Sequence, residues 1–295
     1  MAISIDEAAT QTKIIKIDKN LMQLITDNRR SSAVRKLEGM IKKVSLPGGD
    51  DREKFFRVVD FHGMSLSSSI PENQLINLWT SLETIVPTLP GKSIISGVCT
   101  GILPLIGLQY ANRVFGVAYA DFRRWDKVRI RQALKEISGG NNLVEKTFLL
   151  VTSPEHDELC SSLLTDMSDF PLLKRRIFEL NGRFKTGAKA LRSVRQHLVK
   201  VEQQLHRIYR ARNAIVHSAK DSRLTESLVI SSHEYFDQVF SLTLELSSRP
   251  KKFQTYDECF TYGGLAFLSY EKRLTTLGND PINDASILMW ASMHE

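Results

Sequence analysis

Residues 204–220 read Q-L-H-R-I-Y-R-A-R-N-A-I-V-H-S-A-K, and no other stretch of the chain looks as much like a chemical site. Neither proline nor glycine occurs from residue 191 to residue 220. Leucine, glutamine, lysine, arginine and alanine dominate there, so the sequence predicts one long helix. At ~100° per residue, one apolar side of that helix carries Val201, Leu205, Ile208, Ile215 and Val216.

The polar residues of this predicted helix fall into two groups. Arg212 is expected to point into the apolar side, where a guanidinium needs a carboxylate partner because it cannot lose its charge. His206, Arg210, Asn213 and His217 line the opposite side at spacings of four, three and four. From spacing alone, two interpretations stay open. The residues belong to an ordinary surface helix with a hydrogen-bonded His217, or they act together as a site.

The segment Y-R-A-R-N-A-I-V-H at residues 209–217 resembles the signature of the HEPN superfamily, in its ApeA-like branch. A second segment, L-W-T-S-L-E-T-I at residues 78–85, is similar to the first core helix of that branch. The resemblance extends loosely over residues 70–220 and implies a mainly α fold, an antiparallel helical bundle. Many members of the superfamily are metal-independent endoribonucleases of defence or toxin systems, whereas others only bind or dimerise.

The resemblance also implies roles for individual residues. Arg212 and His217 match the catalytic pair of the family, and Asn213 matches the polar residue that follows the arginine. Glu83 stands where the family often has an acidic residue. Since a core-facing Arg212 requires a carboxylate, we expect Glu83 and Arg212 to be in contact.

Three further residues are candidates of second rank. His206 and Arg210 fit either a supporting role in the site or a plain surface position. Tyr209 is either a core ring whose hydroxyl reaches the edge, which we favour, or a platform for a stacked nucleobase.

Cleavage of RNA without a metal needs a base for the 2′-hydroxyl, donors for the phosphate charge and an acid for the 5′-oxygen. Imidazole can act as either proton carrier near neutral pH. Arg212 or Arg210 can contact phosphate oxygens, and Asn213 can hold the imidazole or the phosphate. The expected products are a 2′,3′-cyclic phosphate and a 5′-hydroxyl, and DNA is expected to resist cleavage.

An unbroken helix separates the directions of Arg212 and His217 by ~140°. One protomer therefore cannot readily aim both at one phosphate, unless the helix distorts near Asn213. The family brings two cassettes together in a dimer, so we expect a homodimer with a composite site. The resemblance further implies a regulatory partner, such as an antitoxin or a sensor, and structured RNA such as tRNA as substrate.

The charge of the chain is unevenly distributed. Its net charge is +7, yet residues 174–220 hold thirteen lysine or arginine residues against two glutamates. That segment carries +11 and the remainder −4. A concentrated positive charge beside the candidate site favours a polyanionic partner.

Other classes of site are not supported by the sequence. Residues 89–93, L-P-G-K-S, lack the first glycine of a phosphate loop, and the acidic residues around His156 fit capping and solvation better than metal binding. We therefore predict neither a cofactor nor a metal. Three scattered cysteines and an N-terminus without a secretion signal predict a cytoplasmic protein.

The predicted organisation is an N-terminal helical region, residues 1–68, followed by a HEPN-like helical domain, residues 69–295, in which residues 115–185 form an insertion. The uncharged segment 93–112 reaches the length of a membrane span. Its proline, glycines and hydroxyls favour a buried core helix broken at Pro104 and no membrane insertion. Residues 55–64 and 148–152 fit either strand or helix ends.

Overall fold

The computed structural model describes residues 2–4, 13–15, 50–167, 169–218, 224–248 and 253–289. These ranges are almost entirely helical, which confirms the mainly α class. Two short strands, β1 (Ala2–Ser4) and β2 (Lys13–Ile15), pair antiparallel where helix was predicted. The remainder of the predicted N-terminal helical region up to residue 49 lies outside the described residues.

The helices follow in chain order and are joined by short connections. A single 3-10 turn, Pro154–His156, precedes the sixth helix. The helices are α1 (Asp50–Ser67), α2 (Pro71–Ile85), α3 (Ile94–Trp125), α4 (Lys127–Glu136), α5 (Leu143–Thr152), α6 (Asp157–Asp166), α7 (Pro171–Phe184), α8 (Gly187–Ser218), α9 (Thr225–Ser247), α10 (Tyr256–Leu277) and α11 (Ala285–Leu288).

Buried side chains form two core clusters. The first core cluster is built mainly by α4 to α7 together with the C-terminal halves of α3 and α10 and the N-terminal half of α8. The second core cluster is built by α1, α2 and α9 with the opposite halves of the same three long helices. Because α3, α8 and α10 run through both clusters, they fix the second cluster, which carries the candidate site, to the first.

Helix α3 differs from its predicted course. It continues through Pro104 without a break, and the Ser93 side chain caps its first turn by accepting a hydrogen bond from the Ser96 amide. By length and composition this helix is able to cross a membrane, but 56% of its most apolar window is buried in the protein. Packing on both sides of Pro104, at Ile102 and Leu105, offsets the backbone hydrogen bond that a proline removes.

Two ambiguous segments are helical. Residues 55–64 lie within α1 and residues 148–152 within α5. The long helix before residue 218 was predicted correctly. Gly187 begins α8 where an added Cβ would lie 2.6 Å from the carbonyl oxygen of Leu274, so this close helix contact requires glycine.

Residues 115–185, predicted as an insertion, begin in the interior of α3. Phe115, Phe148 and Phe184 from this stretch meet edge to face, with ring centroids 5.1 and 5.3 Å from Phe115. All three belong to the first core cluster with residues of α8 and α10. The stretch therefore shares a core with the long helices, and its status as an insertion stays a prediction.

Candidate functional site

Helix α8 is continuous from Gly187 to Ser218, so Arg212, Asn213 and His217 all lie in its last two turns. No distortion of the helix occurs near Asn213. The two members of the predicted catalytic pair therefore diverge by about 140° around the helix axis. Arg212 is half-buried, whereas His217 is exposed.

Arg212 is held on its own helix. Its Nη1 donates a hydrogen bond to Oδ1 of Asn213 at 3.0 Å. Its Nε is buried and has no hydrogen-bond partner among the described residues. A buried donor left in this way is unfavourable, and it is the type of group that a ligand oxygen would satisfy.

The predicted contact of Glu83 with Arg212 is wrong. No ion pair within 4.0 Å joins the two residues in the described part of the chain; Glu83 Oε2 instead accepts a hydrogen bond from the Trp79 indole nitrogen at 2.9 Å. Trp79 lies one turn earlier on α2 and is fully buried. A buried indole N–H needs an acceptor, and the nearest carboxylate in the sequence supplies it.

Two further predictions concern Tyr209 and Val216 of α8. Tyr209 is half-buried, and its ring packs on Trp79 with centroids 5.2 Å apart, which confirms its role as a core ring. Val216, expected on the apolar side, is 47% exposed. The last fully buried residue of α8 is Ile208, and beyond it Ala211 and Ile215 are only partly buried against the second core cluster.

One exposed stripe runs along the whole of α8. Its residues alternate at spacings of four and three, so they share one face of the helix. All are exposed except Asn213, which is half-buried. We call this face the α8 stripe; it consists of Arg192, Gln196, Val199, Gln203, His206, Arg210, Asn213 and His217.

Two hollows follow the α8 stripe. The larger, of about 880 Å³, lies between α8 and the end of α10 and is lined by Arg192, Val199 and Lys200 among others. The smaller, of about 330 Å³, is lined by Gln203, His206, Arg207 and Arg210. Gln203 lines both, so the two hollows are neighbours along α8, and Arg210 of the smaller one lies two residues before Arg212 in the chain.

The basic side chains of these hollows are mostly not neutralised. Arg195 pairs with Glu271 of α10, with Nε and Oε1 2.8 Å apart. In contrast, the described residues provide no carboxylate within ion-pair distance of Arg192, Lys200, Arg207 or Arg210. Exposed cations in a groove attract polyanions. When such cations neutralise the phosphates of a nucleic acid, the counterions condensed on the nucleic acid are released, which favours binding.

A second group of titratable side chains was missed in the sequence. His62 of α1 lies beside His233 and Asp237 of α9, with one ligand-type atom of each within 4.8 Å of the others. The spacing of four between His233 and Asp237 places them on one helix face and is visible in the sequence. The approach of His62 depends on tertiary packing and gives no local signal.

Comparison of the chain with protein-family models, with curated proteins and with solved structures gives no match. The resemblance to HEPN domains therefore rests on the residues of α2 and α8 alone.

Proposed function

We propose that this chain is a metal-independent endoribonuclease of the HEPN type that cleaves RNA by attack of a 2′-hydroxyl. The observation that carries the proposal is the α8 stripe. Basic side chains without a carboxylate partner line the hollows along this face, and His217 is exposed at the end of the same face. The stripe spans the 26 residues from Arg192 to His217, or ~38 Å of helix, which is long enough to contact several successive phosphates.

The reaction assigned to the site uses the side chains of the cassette. His217 accepts the proton of the 2′-hydroxyl, and the 2′-oxygen forms a new bond to phosphorus as the bond to the 5′-oxygen breaks. Arg212 stabilises the charge on the phosphate, for which its unsatisfied Nε is available. The 5′-oxygen takes its proton from water at the exposed end of the helix, so each site needs one arginine and one imidazole.

The divergence of Arg212 and His217 supports a homodimer. Arg212 is half-buried and bonded to Asn213, while His217 is exposed at the opposite side of the last turns. A second copy that contributes its own His217 near Arg212 would complete a site that one copy lacks. We propose this composite arrangement, with regulation by a partner such as an antitoxin or a sensor.

An alternative function is a module that binds RNA or dimerises without cleaving. The hydrogen bond between Arg212 and Asn213 favours it, because it holds the guanidinium against its own helix in the absence of a ligand. The basic groove serves both functions equally well. Only the chemistry at His217 separates them.

The test is incubation of the purified chain with total RNA in EDTA, followed by mapping of product ends. The incubation temperature is kept well below the melting temperature of the protein in EDTA, so that the chain stays folded. We expect cleavage with 2′,3′-cyclic phosphate and 5′-hydroxyl ends, no cleavage of DNA, and a loss of ~100-fold or more for His217→Ala.

The matched control is His156→Ala, which removes a histidine of the 3-10 turn, far from α8 in sequence, and should cleave like the wild type. Equal rates for His217→Ala and the wild type would remove His217 from the reaction. RNA binding without cleavage by the wild type would leave the binding module as the function.

A further inference from the structure

His62, His233 and Asp237 converge at the edge of the second core cluster. Nδ1 of His233 lies 3.4 Å from Oδ2 of Asp237, and Nε2 of His62 lies 4.0 Å from Oδ1 of the same carboxylate. The two imidazole rings are nearly parallel, with centroids 5.3 Å apart. One carboxylate thus faces two histidines that come from different helices, α1 and α9.

Both facing nitrogens lack a hydrogen bond. Nε2 of His62 and Nδ1 of His233 are buried, and neither has a hydrogen-bond partner among the described residues. The side chain of His233 is only 5% exposed, so solvent does not compensate for the missing partner. Folded proteins rarely leave two neighbouring buried nitrogens unpaired, and such a pair indicates a missing ligand.

The chemistry of the three donors points to a transition-metal ion. Imidazole nitrogen and carboxylate oxygen together suit Zn²⁺, whereas Mg²⁺ and Ca²⁺ prefer oxygen ligands. Three protein ligands leave a fourth tetrahedral position for water. Two of the ligands come from one helix at a spacing of four, and the third from a neighbouring helix.

The separations are close to those of such a site. With metal–ligand bonds of ~2.0–2.2 Å, neighbouring ligand atoms of a tetrahedral zinc site lie ~3.3 Å apart. The contact of His233 with Asp237 meets this distance, and that of His62 exceeds it by less than 1 Å. A rotation of the His62 ring out of its stacked position brings its nitrogen toward the common centre.

An ion can reach the cluster from one side. The side chain of Asp237 is 52% exposed and gives an ion access from solvent.

We propose that His62, His233 and Asp237 bind one divalent transition-metal ion, for which zinc is the best fit, and that this ion ties α1 to α9. The site is separate from the Arg212–His217 cassette and does not depend on RNA cleavage. The ion would join the helix that opens the described bundle to the helix that follows α8.

The experiment uses the full chain without a polyhistidine tag, treated with chelator and exchanged into metal-free buffer at pH 7.5. Zinc chloride is titrated by calorimetry, and thermal melting is followed with and without zinc. We expect saturable binding of one ion per chain and a higher melting temperature with zinc. Cobalt(II) should give the intense visible absorption of a tetrahedral site, and magnesium should not compete.

Two variants test the ligands independently. His62→Gln and Asp237→Asn should each weaken zinc binding at least about tenfold and remove most of the rise in melting temperature. The controls Asp60→Asn, an exposed acid of α1, and His156→Gln should bind zinc like the wild type. If one ligand variant fails to fold, the other decides. No saturable binding by the wild type, or wild-type affinity in a folded ligand variant, would overturn the proposal.

Discussion

The guanidinium of Arg212 donates to the amide oxygen of Asn213, its neighbour in the chain, at 3.0 Å. This contact directs the arginine along its own helix and leaves its Nε buried without a partner. His217 lies one turn further on and is exposed. Because the two side chains diverge around the helix axis, the proposed site takes its arginine from one protomer and its histidine from the other.

Mixing two inactive variants should restore activity. A dimer of one Arg212→Ala chain and one His217→Ala chain keeps one intact composite site, since one chain supplies histidine and the other arginine. Random mixing makes about half of the dimers mixed, so we expect about a quarter of the wild-type cleavage rate. The measurement is RNA cleavage after co-refolding of equal amounts of the variants. No recovery, despite verified dimer exchange, would place both groups in one protomer.

Replacement of Arg212 by lysine separates charge from geometry. Lysine keeps the positive charge but loses the planar fork that contacts two phosphate oxygens, so Arg212→Lys should slow cleavage ~100-fold or more. The melting temperature should fall only slightly, because a single hydrogen bond to Asn213 contributes ~1 kcal/mol. Cleavage rates and thermal melts of the same preparation check both expectations. A rate close to wild type would exclude bidentate contact.

The α8 stripe should bind the phosphate backbone. Arg210→Ala should weaken RNA binding and reduce the slope of log Kd against log salt concentration by ~0.7, the value for one lost contact with single-stranded RNA. Fluorescence anisotropy over a range of KCl concentrations measures the slope. Arg131→Ala removes an exposed arginine of α4 outside the stripe and is the matched control. An equal effect of the two variants would show that RNA responds to the general surface charge of the protein and not to the stripe.

Glu83 is expected to stabilise the fold and to take no part in catalysis. Glu83→Gln keeps an oxygen that can accept the hydrogen bond from Trp79, so cleavage and stability should change little. Trp79→Ala should cost ~3–5 kcal/mol because it empties a fully buried position in the second core cluster. Chemical denaturation measures the stability of both variants, and the RNA cleavage assay measures the activity of Glu83→Gln. A large loss of cleavage in a stable Glu83→Gln protein would contradict this prediction and assign Glu83 a role in cleavage.

Acid should destabilise the protein partly through His197. Burial lowers the pKa of His197 to about 4, and the positive charges of Arg113, Arg183 and Lys200 act in the same direction. Between pH 6.5 and 4 the unfolded chain therefore binds more protons at this position than the folded chain, so stability falls as pH falls through that window.

The variant His197→Phe removes this titration while keeping an aromatic ring against Tyr110, whose centroid lies 4.1 Å from the imidazole. Its melting temperature should drop less than that of the wild type between pH 7 and pH 5. Tyr110→Phe retains the imidazole and should keep the wild-type dependence. Identical pH profiles for His197→Phe and the wild type would contradict the burial of a neutral imidazole.

Local sequence signals predicted the elements that depend on local physics. The long run without proline or glycine in α8 predicted its helix closely. The break predicted at Pro104 is wrong, because the packing of α3 on α8 and α10 outweighs the lost backbone hydrogen bond. The apolar run of α5 left strand and helix open, since short apolar segments fit a buried strand and a buried helix equally.

The candidate site shows the same division. The stripe of His206, Arg210, Asn213 and His217 follows from helical spacing, and the exposure of its members agrees with that pattern. The hydrogen bond of Glu83 with Trp79 could not be deduced from the sequence, because it depends on which buried donor lies nearest to the Glu83 carboxylate. Likewise, no local pattern joins His62 to His233, whose approach results from the packing of α1 against α9.

Helix α8 joins the two halves of the protein. It is ~48 Å long and both core clusters hold it, while its last turns are only partly buried against the second cluster. Ile208, the last fully buried residue of the helix, lies ~2.5 turns before His217. The orientation of the imidazole therefore depends on the packing of the second core cluster, and a core substitution near Ile208 should alter the site without touching it.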